Sequence, residues 1–349
     1  MSYALVMLDD PNDVHLLAFG DPQIRGANQY NSLRTRLDIL GNDYYLGHIY
    51  SVLTRILGPS HVAVLGDLLS SQWIDNDEFE IRTLRYKTRI FPKNSGTDSS
   101  LVFINVTGNH DIGYSGEMSL NRVSRYKAHY GAVNYVIEVN PSLRMVILND
   151  LALDGPFFDT QFHEETMAFL NDIAQSKFDG TTILLTHVPL EKPKGVCEDG
   201  AFFSFWNSEL GGGLKSQNFL TYDSSQKVLN TLFKGGKGGI ILNGHDHEGC
   251  YSTHIFNEEL GKWVPGMQDL NEKDQIKEFT VRSMMGEFGG NAGLLSAHWN
   301  KLTESYDFDF RLCRFALQHF WWIAYILLIV SGGLLALAAA RVPIGKKNI

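Results

Sequence analysis

The sequence has few cysteines and no motif that pairs them. Three are present among 349 residues, Cys197, Cys250 and Cys313. None stands in a CxxC pattern, so neither a zinc ribbon nor a disulfide scaffold is expected. Cys197 and Cys250 each follow a cluster of polar residues and could meet in space. We expect two unpaired thiols; the alternative, a Cys197–Cys250 disulfide, would indicate an oxidising compartment.

The sequence also lacks an excess of positive charge. Its 30 Lys and Arg residues are outnumbered by 39 Asp and Glu residues, which leaves a net charge of −9. Surfaces that bind nucleic acid are usually basic, so a nucleic-acid partner is not expected. A broad electrostatic attraction to anionic lipids is disfavoured for the same reason. The length and the hydrophobic content of 44% suit a large globular core.

Charged residues are missing from one long segment near the C-terminus, Phe315–Ala340. Its most apolar part, Phe320–Ala340, would reach about 30 Å as a helix, which matches one hydrocarbon core. Aromatic residues stand at its start, where a membrane–water interface would lie. We therefore predict a large domain at 1–310, a transmembrane helix at 315–340 and a short basic tail at 341–349.

The orientation of this span is left open by the flanking charges, which are balanced on its two sides. The N-terminal apolar run Tyr3–Leu8 is too short for a signal peptide. The last four residues, Lys346-Lys347-Asn348-Ile349, resemble the dilysine signal that returns membrane proteins to the endoplasmic reticulum. That signal would place the large domain in the lumen; a tail-anchored protein would keep the domain in the cytosol.

Five apolar runs each end in residues of metal-binding type. The segments that follow these runs are Gly20-Asp21-Pro22-Gln23, Gly66-Asp67, Gly108-Asn109-His110-Asp111, Thr186-His187 and Gly244-His245-Asp246-His247. Each run reads as a buried strand, and parallel strands that end at one edge of a sheet place their loops side by side. We therefore expect a site for hard or borderline divalent metals at one sheet edge.

The remaining pattern predicts an α/β fold. Strands alternate with helices, and a hairpin at Tyr135–Leu148 indicates mixed sheets, so a two-sheet β sandwich flanked by helices is expected. Asn31–Leu57 has helical spacing, and Gly41-Asn42-Asp43 could break it into two helices. The long insertion at 192–220 is expected to form a wall on the substrate side of the site. Its aromatic cluster, Phe202–Trp206, is either loop core or a surface for glycan or lipid.

The five segments contain the groups that a two-metal centre needs. Two divalent ions about 3.5–4 Å apart can clamp the attacking and leaving oxygens of phosphoryl transfer. The candidate ligands are Asp21, Gln23, Asp67, Asn109, His187, His245 and His247, with Asp67 as the bridging carboxylate. The candidate catalytic residues are His110, which could donate a proton to the leaving oxygen, and Asp111, which could orient that imidazole.

These motifs together resemble the calcineurin-like metallophosphoesterase superfamily, whose pattern is D-x-H, G-D, G-N-H-D/E, a lone H and G-H-x-H. The resemblance implies that six of the candidates are metal ligands, namely Asp21, Asp67, Asn109, His187, His245 and His247, and that His110 is the catalytic histidine. Gln23 departs from the usual histidine. An amide oxygen favours a hard ion such as Mn²⁺ over Zn²⁺; alternatively, Gln23 only makes hydrogen bonds nearby.

A finer resemblance is to the membrane-bound branch that remodels glycosylphosphatidylinositol (GPI) anchors, which includes the post-GPI-attachment phosphodiesterase and the fungal cell-division-control protein 1 type. It implies removal of ethanolamine phosphate from a mannose of the anchor glycan, with two Mn²⁺ ions as cofactors. The implied partners are a GPI-anchored protein or GPI glycan and the membrane. The implied location is the endoplasmic reticulum membrane, with cycling to the Golgi left open and the catalytic domain luminal.

Two other functions are compatible with the same motifs. One is a tail-anchored cytosolic metallophosphoesterase that acts on nucleotides or other phosphoesters. Phosphoproteins are disfavoured as substrates, because the protein Ser/Thr phosphatase branch reads G-D-x-V-D-R-G where Gly66–Gln72 reads GDLLSSQ. The other is a non-enzymatic scaffold, which would be expected to have lost more of the ligand set.

Overall fold

The computed structural model describes residues 10–26, 32–92, 101–193, 195–197, 218–235, 238–266 and 275–341. The helices are α1 (Leu33–Leu57), α2 (Asn76–Arg85), α3 (Asn109–Ile112), α4 (Leu120–Tyr130), α5 (Thr160–Gln175), α6 (Tyr222–Phe233) and α7 (Gln318–Arg341). The strands are β1 (Val14–Phe19), β2 (His61–Leu65), β3 (Val102–Val106), β4 (Tyr135–Asn140), β5 (Leu143–Ile147), β6 (Thr181–Leu185), β7 (Gly239–Asn243), β8 (Cys250–Asn257), β9 (Lys262–Gly266), β10 (Gln275–Thr280), β11 (Asn291–Asn300) and β12 (Ser305–Arg314).

The strands form two mixed sheets with helices on the outside, which confirms the predicted fold class. The first sheet has the order β12-β11-β1-β2-β3, and the second has the order β4-β5-β6-β7-β10-β8-β9. The predicted hairpin is present, because β4 pairs with β5 in antiparallel fashion. The expectation that all five motif strands share one sheet edge is wrong. β1, β2 and β3 belong to the first sheet, whereas β6 and β7 belong to the second.

The motif strands are mostly apolar because most of their side chains are buried on both faces of the sheet. In β1, Leu16 and Ala18 point into the core between the two sheets. The alternate residues Leu17 and Phe19 pack in the core that contains the helices. Side chains of a strand alternate between its two faces, so a strand buried on both sides reads as a continuous hydrophobic run. This burial fixes where each strand ends and where each polar loop begins.

Helix α1 is one unbroken helix, so the break considered at Gly41-Asn42-Asp43 does not occur. Its N-terminus is capped by the Ser32 hydroxyl, which accepts a hydrogen bond from the Thr35 amide at 3.2 Å. Gly41 is required inside the helix by a long-range contact, since a Cβ there would collide with the Trp322 ring of α7. The glycine therefore serves packing between helices.

Helix α7 is apolar and has no buried side chain. Its 24 residues are long and apolar enough to cross a membrane, at about 36 Å for a rise of 1.5 Å per residue. It corresponds to the predicted span at 315–340. Strand β12 continues to Arg314, past the predicted domain end at residue 310. The tail at 342–349 and the N-terminal run Tyr3–Leu8 lie outside the described residues.

Candidate metal centre

Each motif begins within two residues of the end of a strand, and in three of the five motifs the backbone of a candidate ligand is held in an unusual conformation. Asp21, Gln23, Asp67 and His245 have positive φ values of 48°, 41°, 49° and 68°. Among the described residues other than glycine, only Glu304 shares this feature. Such conformations cost about 1–3 kcal/mol each and cluster at functional sites. Four of the seven candidate ligands are therefore aimed by strained turns.

Two glycines in the motifs allow the loops to approach one another closely. A Cβ on Gly66 would collide with the His187 ring, and a Cβ on Gly108 would collide with the backbone and carboxylate of Asp67. The loops after β2 and β3 in the first sheet therefore touch each other and the loop after β6 in the second sheet. Glycine permits this contact because it has no side chain to displace.

The loops bring the predicted ligands together in two overlapping groups. One group is Asp67, His187 and His245; the other is Asp21, Asp67 and His247. Within each group the ligand atoms lie within 4.8 Å of one another. Asp67 belongs to both groups, as a bridging carboxylate would. Carboxylate oxygens and imidazole nitrogens suit borderline divalent ions, so this donor set fits two such ions.

The two predicted amide ligands lie at the edges of these groups. The Asn109 Oδ1 atom is 3.1 Å from the His187 Nε2 atom. The Gln23 Nε2 atom donates to the Asp67 Oδ2 atom at 3.0 Å and lies 3.2 Å from the His247 Nε2 atom. A half-turn of this amide would place its oxygen among the same groups. Gln23 therefore lies where it could hold an ion beside Asp21 and His247.

Burial and neighbouring charges shift the pKa of several groups in the centre. Burial raises the pKa of Asp21 well above its usual range, and the nearby Asp67 carboxylate adds to this effect. Burial acts on Asp67 too, but the His187 imidazole outweighs it and holds the pKa of Asp67 below its usual range. Burial opposes charge on His187, yet Asp67 raises its pKa to about 10. A cation bound here would favour the ionised form of Asp21, which burial disfavours.

The imidazole of His187 is oriented by the backbone. Its Nδ1 atom donates to the Leu65 carbonyl oxygen at 2.8 Å, and its Nε2 atom lies 3.3 Å from the Asp67 Oδ1 atom. Metal-binding histidines commonly use one ring nitrogen in this way to fix the direction of the other. Burial and the neighbouring His187 lower the pKa of His245 to about 3, so that ring is neutral and available as a ligand.

His110 lies at the mouth of the centre. Its side chain is 36% exposed, and its Nε2 atom is 3.7 Å from the Asp67 Oδ2 atom. Its backbone amide donates to the Asp67 Oδ1 atom at 2.8 Å, which fixes the residue beside the carboxylate that the two ligand groups share. The ring is therefore within reach of a substrate, whereas the candidate ligands Asp21, Asp67 and His187 are buried.

Asp111 does not orient His110, which corrects the role predicted for it. The Asp111 carboxylate accepts hydrogen bonds from the backbone amides of Leu68, Leu69 and Gly108 at 3.2, 3.0 and 2.9 Å. Within the described part of the chain, the His110 Nδ1 atom has no hydrogen-bond partner. Asp111 is buried and ties the loop after β2 to the loop after β3. Through these hydrogen bonds it positions the loop that carries Asp67.

Cys197 and Cys250 form a disulfide, so the expectation of two unpaired thiols is wrong. Cys250 begins β8 directly after the His245–His247 loop, and Cys197 lies in the predicted insertion at 192–220. The bridge therefore ties the start of that insertion to the edge of the metal centre. Most of the insertion, including the aromatic cluster Phe202–Trp206, lies outside the described residues.

Two aromatic side chains at the centre were not predicted. The Phe288 ring packs against His247 with the ring centroids 4.9 Å apart, and the Tyr114 ring lies 6.1 Å from His245. Neither belongs to a motif. Phe288 follows β10 in sequence, where only the nearby Gly289-Gly290 pair could have suggested a loop that returns to the site.

The sequence model described as Calcineurin-like phosphoesterase matches residues 12–249. Protein TED1 of Saccharomyces cerevisiae is 38% identical over 387 residues, which cover 91% of this chain and 81% of that protein. The uncharacterized protein C23A1.02c of Schizosaccharomyces pombe is 31% identical over 86% of this chain and 74% of its own length. Cell division control protein 1 of Saccharomyces cerevisiae is 24% identical over 68% of this chain and 48% of its own length.

Proposed function

The chain belongs to the calcineurin-like phosphoesterase family of metal-dependent phosphoester hydrolases, and from that premise we propose that it removes ethanolamine phosphate from a mannose of the GPI-anchor glycan. The observation that carries the hydrolytic part is the pair of ligand groups that share Asp67 beside the exposed ring of His110. The glycan substrate is supported by the similarity to Cell division control protein 1, whose type the motifs resemble.

The chemistry follows from where the side chains lie. Two divalent ions, when bound, would neutralise charge on the phosphoryl oxygens and lower the pKa of a water molecule at the centre. Asp21, Gln23, Asp67, Asn109, His187, His245 and His247 are the side chains that we propose as their ligands. His110, at the mouth of the centre, would donate a proton to the departing sugar oxygen. Asp111 holds the loop that carries Asp67 against the loop that carries Asn109.

A polar cavity next to the centre offers room for part of a glycan. Its volume is about 310 Å³, and it adjoins Gln23. Its wall includes the amides of Asn42 and Gln318, one cation, Arg25, and one anion, Glu287. A mixed lining of amides and single charges of both signs suits a hydroxyl-rich ligand that carries a zwitterionic ethanolamine phosphate better than it suits a polyanion. This lining supports a glycan in preference to a nucleoside triphosphate.

We place the enzyme in the endoplasmic reticulum membrane with a luminal domain and the GPI glycan, or a protein that carries it, as partner. The apolar helix α7 could be a membrane anchor. The Cys197–Cys250 disulfide supports the lumen, because disulfides persist in oxidising compartments and are rare in the cytosol. The metal that we propose is Mn²⁺, because the Gln23 amide offers oxygen where the family usually has imidazole.

The test is release of ethanolamine phosphate from a purified GPI glycan by the full-length protein in detergent with Mn²⁺. Release should depend on added metal, and Asp67→Asn should abolish it while Asp172→Asn, an exposed acid on α5, should leave it unchanged. Hydrolysis of nucleotides or simple phosphodiesters with no release from the glycan would overturn the proposed substrate and favour the cytosolic alternative. No hydrolysis of any phosphoester would overturn the enzymatic role as well.

Membrane topology is tested separately in intact microsomes. We expect the domain to resist added protease until detergent is present. Degradation without detergent would place the domain in the cytosol and contradict the luminal assignment, whatever the substrate proves to be.

A further inference from the structure

The first half of α1 carries an exposed apolar stripe, formed by Leu33, Leu37, Leu40 and Tyr44. These side chains are 72%, 56%, 38% and 55% exposed. At about 100° per residue they fall within an arc of about 60° on the helix surface. The helix is anchored in the protein core by other residues, such as Leu46 and Ile49. The stripe is thus a coherent apolar face that no described part of the chain covers.

The stripe lies directly beside the first turns of α7. Gly41 and His48 fall next to the stripe on the helix surface. Gly41 packs against the Trp322 ring, and the His48 ring lies 5.8 Å from Trp321 and 6.1 Å from Tyr325. The Tyr45 hydroxyl donates to the carbonyl oxygen of Ala316, just before α7 begins. Several contacts therefore hold α1 against the end of α7 nearest the domain.

The charges beside the stripe match a lipid surface. Arg34 and Arg36 fall on either side of the four apolar residues, and both are exposed. An interfacial helix typically combines an apolar face with flanking basic residues that reach lipid phosphates. This local pair of cations contrasts with the net charge of −9 of the whole chain. A protein partner is less favoured, because the apolar α7 continues directly from the same surface.

We propose that the α1 stripe inserts into the bilayer interface beside α7 and forms a second membrane contact of the domain. A single spanning helix would leave the domain free to tilt and rotate. The inserted stripe would limit that freedom, because α1 packs against the first turns of α7. The polar cavity beside Gln23 has one wall from α1, Asn42, and one from α7, Gln318. Insertion of the stripe into the bilayer interface would therefore hold this cavity close to the lipid headgroups.

The experiment uses the full-length protein in liposomes of neutral and anionic phospholipids. A fluorophore is attached to a single cysteine at position 37 in a Cys313→Ser background, with the Cys197–Cys250 disulfide left oxidised. The quencher is a phospholipid with a doxyl group near the headgroup. A matched label replaces Leu302, which is 95% exposed at the turn between β11 and β12. Strand β12 runs from this turn to Arg314, just before α7, so the turn lies about 30 Å from the start of α7.

We expect a marked loss of fluorescence at position 37 and none above background at position 302. A label at Leu328, in the middle of α7, should be quenched by doxyl groups deeper in the chain region. Changing Leu33 and Tyr44 to Gln in the labelled protein should reduce quenching at position 37 without altering that at position 328. Equal signals at positions 37 and 302 would overturn the proposal. Concentration-dependent crosslinking through position 37 without quenching would assign the stripe to a second copy of the chain and overturn it as well.

Discussion

His110 is the titratable side chain of the centre that a substrate can reach most directly. Asp21, Asp67 and His187 are buried, whereas the His110 ring is 36% exposed. Its hydrogen bond to the Asp67 carboxylate comes from the backbone amide and does not need the ring. The side chain can therefore be removed with little effect on the ligand groups, which makes its chemical role testable by itself.

We predict that His110→Ala lowers kcat by about 10²–10⁴-fold, the usual contribution of a general acid. The reason is that the departing sugar oxygen is a poor leaving group without a proton. Metal content, measured by mass spectrometry, should stay at the wild-type level. With a nitrophenyl phosphoester, whose leaving group needs no proton, the loss should be much smaller. An equal loss with both substrates would contradict the general-acid role.

Gln23 is the candidate ligand at which the chain departs from the pattern of its family. Its positive φ of 41° is a conformation that histidine also adopts more readily than most residues. We predict that Gln23→His tightens the binding of zinc by roughly tenfold, about 1.4 kcal/mol, because imidazole is the better ligand for that ion. The measurement is competition with a chelator of known affinity, and Gln161→His on the surface of α5 is the control. Unchanged affinity would show that Gln23 is not a ligand.

Strand β10 carries a buried ionic network that supports the loop after His187. The Glu278 carboxylate accepts hydrogen bonds from the Lys192 ammonium at 2.8 Å, from His254 at 2.6 Å and from Asn243 at 2.6 Å. Lys192 stands at the start of the predicted insertion, and Asn243 precedes the Gly244–His247 loop. The Glu278 carboxylate thus holds the segment that follows His187 and the start of the Gly244–His247 loop.

We predict that Glu278→Gln destabilises the fold by about 3–5 kcal/mol, because the Lys192 charge is left buried without a counter-charge. Lys192, and then His254, hold the pKa of Glu278 below its usual range although burial alone would raise it. A lowered pKa in the folded state adds stability above the unfolded pKa, and this stability is lost as pH falls below it. The gap in Tm between wild type and variant should therefore narrow on acidification below about pH 4.5.

The control for this prediction is Glu258→Gln, an exposed carboxylate in the turn between β8 and β9. It should leave both Tm and its pH dependence unchanged. A gap between wild type and Glu278→Gln that stays constant under acid would contradict the ionic explanation and leave packing as the cause.

At the scale of the whole molecule, the disulfide joins two segments that are 53 residues apart. In the chain-entropy account a loop of that length contributes about 4 kcal/mol, by restricting the unfolded chain. We predict that a reducing agent lowers Tm of the wild type and has no effect on the Cys197→Ser/Cys250→Ser variant. Cys313→Ser should respond to the reducing agent as the wild type does. Insensitivity of the wild type would show that the bridge is absent from the purified protein.

The sequence by itself determined the fold class, the family and the positions of the five polar loops. Each of these signals is local: an apolar run covered on both faces, followed within a few residues by glycine and a metal-binding side chain. Such patterns follow from strand geometry and from the chemistry of the loop, and neither requires knowledge of distant partners. The membrane-spanning candidate was equally visible, because composition over a single segment defines it.

Only the tertiary structure decided which distant residues meet. Two sheets supply the five loops, Asp111 bonds to backbone amides instead of His110, Cys197 pairs with Cys250, and Gly41 makes room for Trp322. Each outcome depends on contacts between segments far apart in the chain. The local sequence around a glycine in a helix, or around a carboxylate beside a histidine, does not show which distant residue that group will contact. The physical reason is that local pattern determines what a segment can form, whereas packing of the whole chain determines what it touches.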